Sequence, residues 1–459
     1  MSLRVAVSSG LAVVAIASSV AFLPDAGELD DRPNVVVIVT DDQPADTIPR
    51  LPAVMPYLQA RALDPQDHWV VFERAFVNTP ICCPSRATML TGLYAHHTGV
   101  LDNRDGHAFD ETSTLATWLR DAGYHTGLVG KYLNLYPFGR EPFVPQGWDR
   151  WWGRIHGPPT TLYEGYTLFE QDHTVEHGST PADYSTDVLA SKAVEFIQGS
   201  PTDRPFFLWF APAAPHPPAI PAERHAGVFD DLVVPVPPSV GESDVSDKPA
   251  WVRALPPMDA GDIEALRRTR RRASETLLAV DEAVRQIVAE LRGRGELDET
   301  VIVITSDNGL AYGEHRWTKK SCPYEVCLRV PLLIRTPDVA HRVDRTVVSS
   351  ADIAPTIAEL TGVAPPVAVD GVSLVPLLRS GSRAGLPGTV FAELQGDQRV
   401  PAWWELRGSR FAYIELVTGE RELYDLRDDP FELVNVVDEP RYADDVERLA
   451  AALDAIRSA

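Results

Sequence analysis

Three short strings hold most of the residues that could do chemistry. Asp41-Asp42 follows the apolar run Asn34 to Thr40, and Asp307-Asn308-Gly309 follows a second run, Thr300 to Ser306. Asp41, Asp42, Asp307 and Asn308 offer oxygen donors only. That set suits a hard divalent cation and not a metal held by thiolate or imidazole. Taken singly, an Asp pair after a strand is usually a helix cap, and Asp-Asn-Gly is usually a tight turn. The third string lies between them in the chain: Cys82-Cys83-Pro84-Ser85-Arg86, continuing as Ala87-Thr88-Met89-Leu90-Thr91-Gly92. Adjacent cysteines bridge only with strain, so a Cys82–Cys83 disulfide is not expected.

The elements that must position these strings are legible around them. Both apolar runs are continuous and rich in β-branched residues, the pattern of parallel strands buried on both faces. Each delivers its oxygens at its C-terminal end, where open α/β sheets bind ligands. Phe206 to Phe210 and Val330 to Ile334 read as further strands, and Gly123 to Gly130 contains another. Helical spacing falls between them at Thr112 to Asp121, at Thr186 to Ile197 and along the amphipathic stretch Asp262 to Arg294. The alternation predicts a mostly parallel sheet with helices on both faces. Pro- and Gly-rich segments, Pro212 to Pro221 and Pro235 to Pro257, read as ordered surface loops. After about Leu378 the character changes. Thr389 to Leu394, Arg410 to Val417 and Glu422 to Leu426 are strand-like and a terminal helix begins at Ala443, which predicts a small α+β subdomain.

The Cys82 string with its downstream Thr91-Gly92 resembles the formylglycine signature of the type I sulfatases. The resemblance runs from Pro33 to about Asn435. It takes in Thr40-Asp41-Asp42-Gln43, Gly130-Lys131-Tyr132-Leu133-Asn134, Pro215-His216, Ser306-Asp307-Asn308-Gly309, Tyr324-Glu325 and Leu423-Tyr424-Asp425-Leu426. The Gly-Lys-Tyr-Leu-Asn and Cys-Cys-Pro-Ser-Arg strings are most similar to the N-acetylglucosamine-6-sulfatase branch. This resemblance implies an alkaline-phosphatase/sulfatase-like α/β fold, with a mostly parallel central sheet and a small C-terminal α+β subdomain. It implies that a formylglycine-generating enzyme oxidises Cys82 to formylglycine, whose hydrate attacks sulfur, releases the alcohol and then expels sulfate. It also implies one calcium ion held by Asp41, Asp42, Asp307, Asn308 and the modified side chain of residue 82. Arg86 would hold the diol and the metal ligands, Lys131 and Lys320 would bind the sulfate, and His216 would contact sulfate and assist the leaving group. His315 joins the catalytic candidates, whereas His97 is read as structural. Two departures stand out. Many sulfatases carry histidine where this chain has Leu133, leaving Asn134 as the polar group nearby, and Cys322 and Cys327 flank Tyr324-Glu325 where relatives have small residues.

Composition bounds the rest. The chain has 459 residues, 44% of them hydrophobic, enough to bury one large core and a smaller partner. Its formal charge of −23 repels polyanions in the mean, which excludes nucleic acid as an expected partner and requires a local basic pocket for any anionic substrate. Four cysteines are too few for a disulfide-built scaffold, and Cys322–Cys327 reads either as one small bridge or as two free thiols. Arg4, the apolar stretch Leu11 to Phe22 and Ser19-Val20-Ala21 read as a secretory signal. The expected organisation is a signal peptide over 1–21, a linker over 22–32, a catalytic domain over 33–378 and a C-terminal subdomain over 379–459. The mature protein would be secreted or extracytoplasmic, with no stable membrane association and a sulfated small molecule or glycan as substrate. Two other functions stay open: a phosphonate monoester or phosphodiester hydrolase on the same fold, and a non-catalytic sulfated-glycan-binding protein. Trp148 to Trp152 and Trp403-Trp404 could stack on sugars or fill the core.

Overall fold

The computed structural model describes residues 30–48, 51 and 53–458, so the expected signal segment and most of the linker lie outside the described residues. Strands β1 (Asn34–Thr40), β2 (Trp69–Phe76), β3 (His125–Gly130), β4 (Arg150–Arg154), β5 (Thr167–Glu170) and β6 (His173–Glu176) come first along the chain. They are followed by β7 (Phe206–Ala211), β8 (Thr300–Ser306), β9 (Arg329–Arg335), β10 (Arg342–Asp344) and β11 (Val348–Ser349). Together they form one eleven-stranded sheet ordered β10-β2-β9-β8-β1-β7-β3-β4-β5-β6, with β11 also on β2. β8, β1, β7, β3 and β4 run parallel as its centre. β9 runs antiparallel to both β8 and β2, and β5 and β6 form an antiparallel extension.

Every residue of β1 and β8 is buried, because helices cover both faces of the sheet. Side chains alternate across a strand. Val35, Val37 and Val39 join the core that includes helices Cys82–Thr91 and Leu115–Asp121, while Val36 and Ile38 join the one beneath helices Ser185–Gly199 and Ala260–Gly293. The long helix Ala260–Gly293 starts where Asp259 accepts hydrogen bonds from the Gly261 and Asp262 backbone N–H groups, a capping arrangement. It then descends to the start of β8. Its first turns therefore lie at the end of the sheet where β8 delivers Asp307.

A second, antiparallel sheet holds β12 (Thr389–Leu394), β13 (Trp403–Gly408), β14 (Phe411–Leu416) and β15 (Arg421–Asp425). The terminal helix Ala443–Arg457 packs on it through Val446, Leu449 and Leu453. The architecture is the expected α/β layering, a mostly parallel sheet between helices, with a separate small C-terminal unit. The region Pro235 to Pro257 is not loop throughout, since it contains the short helix Ala250–Arg253. Trp148, Trp151, Trp152 and Trp403 fill the core, and the Trp403 indole donates to the Ser321 carbonyl at 3.0 Å, whereas Trp404 is half-buried with the Arg457 guanidinium over its ring. Cys322 and Cys327 form a disulfide, while Cys82 and Cys83 are free and buried.

Candidate active site

Register brings the two acidic strings together. β1 and β8 pair with Thr40 opposite Ser306, so Asp41 and Asp307 leave adjacent strand ends. Backbone and side chain then lock them: Asp307 N–H donates to Thr40 O at 3.0 Å and Asp42 N–H donates to Asp307 Oδ1 at 3.0 Å. The Asn308 amide donates to Asp42 Oδ1 at 2.6 Å. Asp42 itself sits at φ +66°, a left-handed position that Asp tolerates better than most residues. Cys82 reaches this cluster as the first residue of its helix, after an extended Ile81. Its Sγ lies 2.8 Å from Lys320 Nζ and 3.4 Å from Asp41 Oδ1. One turn further on, Arg86 Nε donates to Asp307 Oδ2 at 2.8 Å and its Nη1 donates to the Lys131 carbonyl at 3.0 Å. Lys131 follows Gly130, whose φ of +110° and approach to Ala211 leave no room for a side chain: a Cβ would lie 2.2 Å from Ala211 O. Lys131 Nζ donates to Asp41 Oδ2 at 2.7 Å, Lys320 Nζ to Asp42 Oδ1 at 2.8 Å, and His216 Nε2 stands 3.6 Å from Asp42 Oδ2.

Three carboxylates (Asp41, Asp42, Asp307) thus meet three fixed cations (Arg86, Lys131, Lys320) in a nearly dry setting. Burial raises the Asp41 carboxyl, but Lys131, His216, Arg86 and Lys320 outweigh it and hold the group well below the ordinary carboxylate range. For Asp307 burial and the charge of Asp41 prevail over Arg86 and Lys131, and its carboxyl is raised. Burial, reinforced by Asp307, pushes the Cys82 thiol far above its usual value. The Cys83 thiol is pushed up to about 12 by burial. The donor set fits a hard divalent cation. Asp41 and Asp42 oxygens converge with Cys82 Sγ and a His216 ring nitrogen within 4.8 Å of one another, and buried Asn308 Oδ1 has no hydrogen-bond partner among the described residues. Asp307 turns one oxygen to Arg86 and the other to the Asp42 N–H.

Residues 33–363, which contain this whole constellation, match the sulfatase family. The chain belongs to that family. Residues 313–459 also match the N-sulphoglucosamine sulphohydrolase C-terminal family, which overlaps the small sheet. The sulfatase is 33% identical over 384 residues to the N-acetylglucosamine-6-sulfatase of Homo sapiens, covering 80% of this chain and 68% of that one. It is 35% identical over 367 residues to the extracellular sulfatase SULF-1 homolog of Drosophila melanogaster, covering 77% of this chain but only 32% of that longer protein. In three dimensions it resembles BT4656, solved in complex with its substrate D-glucosamine-2-N,6-O-disulfate, with a TM-score of 0.81, 25% identity, and coverage of 93% and 98%. It also resembles the phosphonate monoester hydrolase of Agrobacterium radiobacter, with a TM-score of 0.75, 26% identity, and coverage of 93% and 96%.

Not every candidate residue of the sulfatase reaches the cluster. His315 is buried against the Tyr324 ring, with centroids 4.1 Å apart, and its Nδ1 pairs with Glu242 Oε2 at 2.6 Å. No hydrogen bond or ion pair joins it to Asp41, Asp42, Cys82 or Asp307 among the described residues. Leu133 is an apolar core residue, and Asn134 makes no side-chain hydrogen bond to the cluster. Supporting groups outside the recognised strings also emerge. Asn103 Oδ1 accepts from the Cys83 N–H at 2.9 Å, and the Tyr163 hydroxyl donates to the His216 carbonyl at 2.7 Å. Neither carries a local sequence signal, because each acts through a fold-dependent contact.

Proposed function

We propose that the protein hydrolyses the sulfate monoester of a sulfated sugar, with residue 82 acting as formylglycine and calcium held by Asp41, Asp42, Asp307 and Asn308. The place of residue 82 carries this reading. Its Sγ lies 2.8 Å from Lys320 Nζ and 3.4 Å from Asp41 Oδ1, at the head of its helix and against the acidic cluster, where a nucleophile would meet a sulfate held by the two lysines. Oxidation to formylglycine supplies the missing oxygen nucleophile through the hydrated aldehyde. Cys82 has no exposed surface in the folded chain, so the formylglycine-generating enzyme has to act before the fold closes over it.

Bound calcium would supply positive charge that polarises the sulfate and favours ionisation of the nucleophile. The chain's own residues supply the rest. Lys131 and Lys320 flank residue 82 and neutralise sulfate oxygens. Arg86, wholly buried, is a positioning residue that fixes Asp307 and the backbone of Lys131. His216 is the most open of these groups, at 23% side-chain exposure. Its Nδ1 is occupied by the Pro217 carbonyl at 2.6 Å, which turns Nε2 toward the site to protonate the departing sugar oxygen. His315 touches none of the reacting groups and is given no proton transfer; it supports the loop that carries Lys320.

An amino-sugar sulfate is favoured by likeness to the human N-acetylglucosamine-6-sulfatase and to the structure holding a glucosamine disulfate. An extracytoplasmic site of action is favoured by the Cys322–Cys327 disulfide. Likeness to a phosphonate monoester hydrolase keeps one rival alive. Mass spectrometry of the tryptic peptide Ala75–Arg86 from the native producer, with turnover of N-acetylglucosamine 6-sulfate, an aryl sulfate and an aryl phosphonate monoester, tests the reading. An aldehyde at residue 82 and preference for a sulfate ester are expected. Intact thiols in active protein, or a clear preference for the phosphonate, would overturn it.

A further inference from the structure

Arg154 ends β4, one strand beyond the strand that delivers Lys131. Gly130 pairs with Gly153 in the parallel register of β3 and β4, so Lys131 and Arg154 leave neighbouring strand ends, about 4.8 Å apart in the backbone. Contacts on both sides tie Arg154 to the loops of the site. The His156 N–H donates to the Tyr136 carbonyl at 2.8 Å, which joins the chain after β4 to the loop after Lys131. Arg154 Nη2 donates to Thr161 O at 2.9 Å and to Thr161 Oγ1 at 3.2 Å. Two residues further on, the Tyr163 hydroxyl donates to the His216 carbonyl at 2.7 Å. The segment that holds Arg154 therefore also holds the loop of the most open residue of the site.

The bonding of Arg154 is incomplete. A guanidinium has five N–H donors, and here only Nη2 is used: Nε is buried without a partner, and Nη1 donates to no group among the described residues. No carboxylate lies within ion-pairing distance of it among the described residues, whereas Arg86, Lys131 and Lys320 each have one. The carboxylate whose charge reaches it is Asp41, already bonded to Lys131, and burial still holds the guanidinium below its ordinary value. Burial, then the charges of Arg154 and Lys131, lowers the His156 imidazole, which places that exposed ring near both cations. A largely enclosed cation without an anion costs the fold free energy. Guanidinium N–H groups match oxoanions in particular. Arg154 is partly open to solvent, as are Lys131 and His216 beside it, so the anion that completes it comes from outside the fold.

We propose that Arg154 is a specificity-determining residue that grips a second oxoanion of the substrate while Lys131 and Lys320 hold the ester to be cleaved. The choice of a sugar as substrate rests on the proposed function; the unmet donors of Arg154 do not. The test measures kcat/KM on N-acetylglucosamine 6-sulfate and on glucosamine 2-N,6-O-disulfate, which share the 6-sulfate and differ in charge at nitrogen, for the parent, Arg154→Gln and Arg154→Lys. The parent is expected to prefer the disulfate by roughly ten- to a hundredfold, the size of one hydrogen bond to a charged group. Arg154→Gln should bring that ratio close to one, chiefly through KM for the disulfate, and Arg154→Lys should keep part of it. A residue that only supports the Thr161 loop would lower both rates together and leave the ratio. A second pair, 6-sulfated disaccharides with a neighbouring uronic acid or with its carboxyl reduced to the alcohol, separates sulfamate from carboxylate: a preference in one pair, lost in Arg154→Gln, names the anion. A parent indifferent to the added anion in both pairs, or a preference that Arg154→Gln keeps, overturns the proposal. Calorimetric binding of the same sugars to the Cys82→Ala protein gives the ratio without turnover. A preference there that Arg154→Gln removes, in a protein whose parent cleaves no sulfate ester, overturns the proposed function and leaves the anion contact standing.

Discussion

At the scale of single residues, the site is a set of buried charges that stabilise only as a set. Arg86 and Asp307 are both wholly buried, and removing one partner strands the other. Arg86→Ala is expected to cost about 3–5 kcal/mol, the usual penalty for breaking a buried pair from one side, and to abolish turnover. Denaturant unfolding beside an activity assay measures both. Cys82→Ala should instead abolish turnover with a smaller loss of stability, since it removes only a small side chain and strands no buried partner charge; a melting curve separates the two kinds of loss. The metal assignment has a readout independent of catalysis. Calcium at about a hundred times its dissociation constant should stabilise the fold by about 2.7 kcal/mol, seen as a rise in Tm. Asp42→Asn should show little of that rise. A parent whose Tm ignores calcium would remove the ion from the mechanism.

Among the elements, Gly130 shows how a strand end aims a catalytic side chain. A Cβ there would meet the Ala211 carbonyl at 2.2 Å, against a backbone group that cannot swing away. Gly130→Ala is expected to push β3 off β7, lowering both Tm and the rate on any sulfate ester, because Lys131 moves with it. A variant with parental Tm and rate would show that the strand end adapts. The same elements explain what was legible in the sequence. β1, β7, β8 and the long helix could be read because each has one dominant burial pattern. β2 could not: Glu73 and Arg74 interrupt its apolar run where the pairing with β9 shifts register between Phe72 and Ala75. Helix Cys82–Thr91 is buried on every side, so it has no amphipathic period to mark it in the sequence. The acidic clusters could be seen in the sequence, but the contact of Lys320 with Cys82 depends on long-range packing. The contact of His315 with Glu242 likewise depends on packing between segments distant in the chain.

For the whole molecule, the joint between the two sheets is the feature that the sequence hid. β13 carries Glu405 and Arg407, which in isolation mark a surface strand, yet both are wholly buried. Arg407 pairs with Glu405 and Glu432 and lies 3.6 Å from Glu325 of the main domain. Glu422 accepts hydrogen bonds from the Tyr324 and Tyr424 hydroxyls. Acids outnumber cations at this joint, and burial dominates their titration. Burial pushes the Glu405 carboxyl up to about 8 despite the opposing Arg407, and the Glu422 carboxyl up to about 7. A carboxyl whose value is raised on folding keeps its proton in the folded state while the unfolded chain loses it. Its stabilising contribution is therefore complete below the ordinary value of 4.5 and falls away as pH rises through about 7 and 8. Asp352, raised to about 6 by burial, acts in the same direction. The Tm should accordingly decline between about pH 5 and pH 8.5, as the linkage relation requires. Glu405→Gln, which cannot ionise, should raise Tm by a few degrees at the alkaline end and leave it nearly unchanged at the acid end. Scanning calorimetry of parent and variant across that range decides the matter: parallel declines would mean that Glu405 is already ionised in the fold and that Arg407 outweighs its burial.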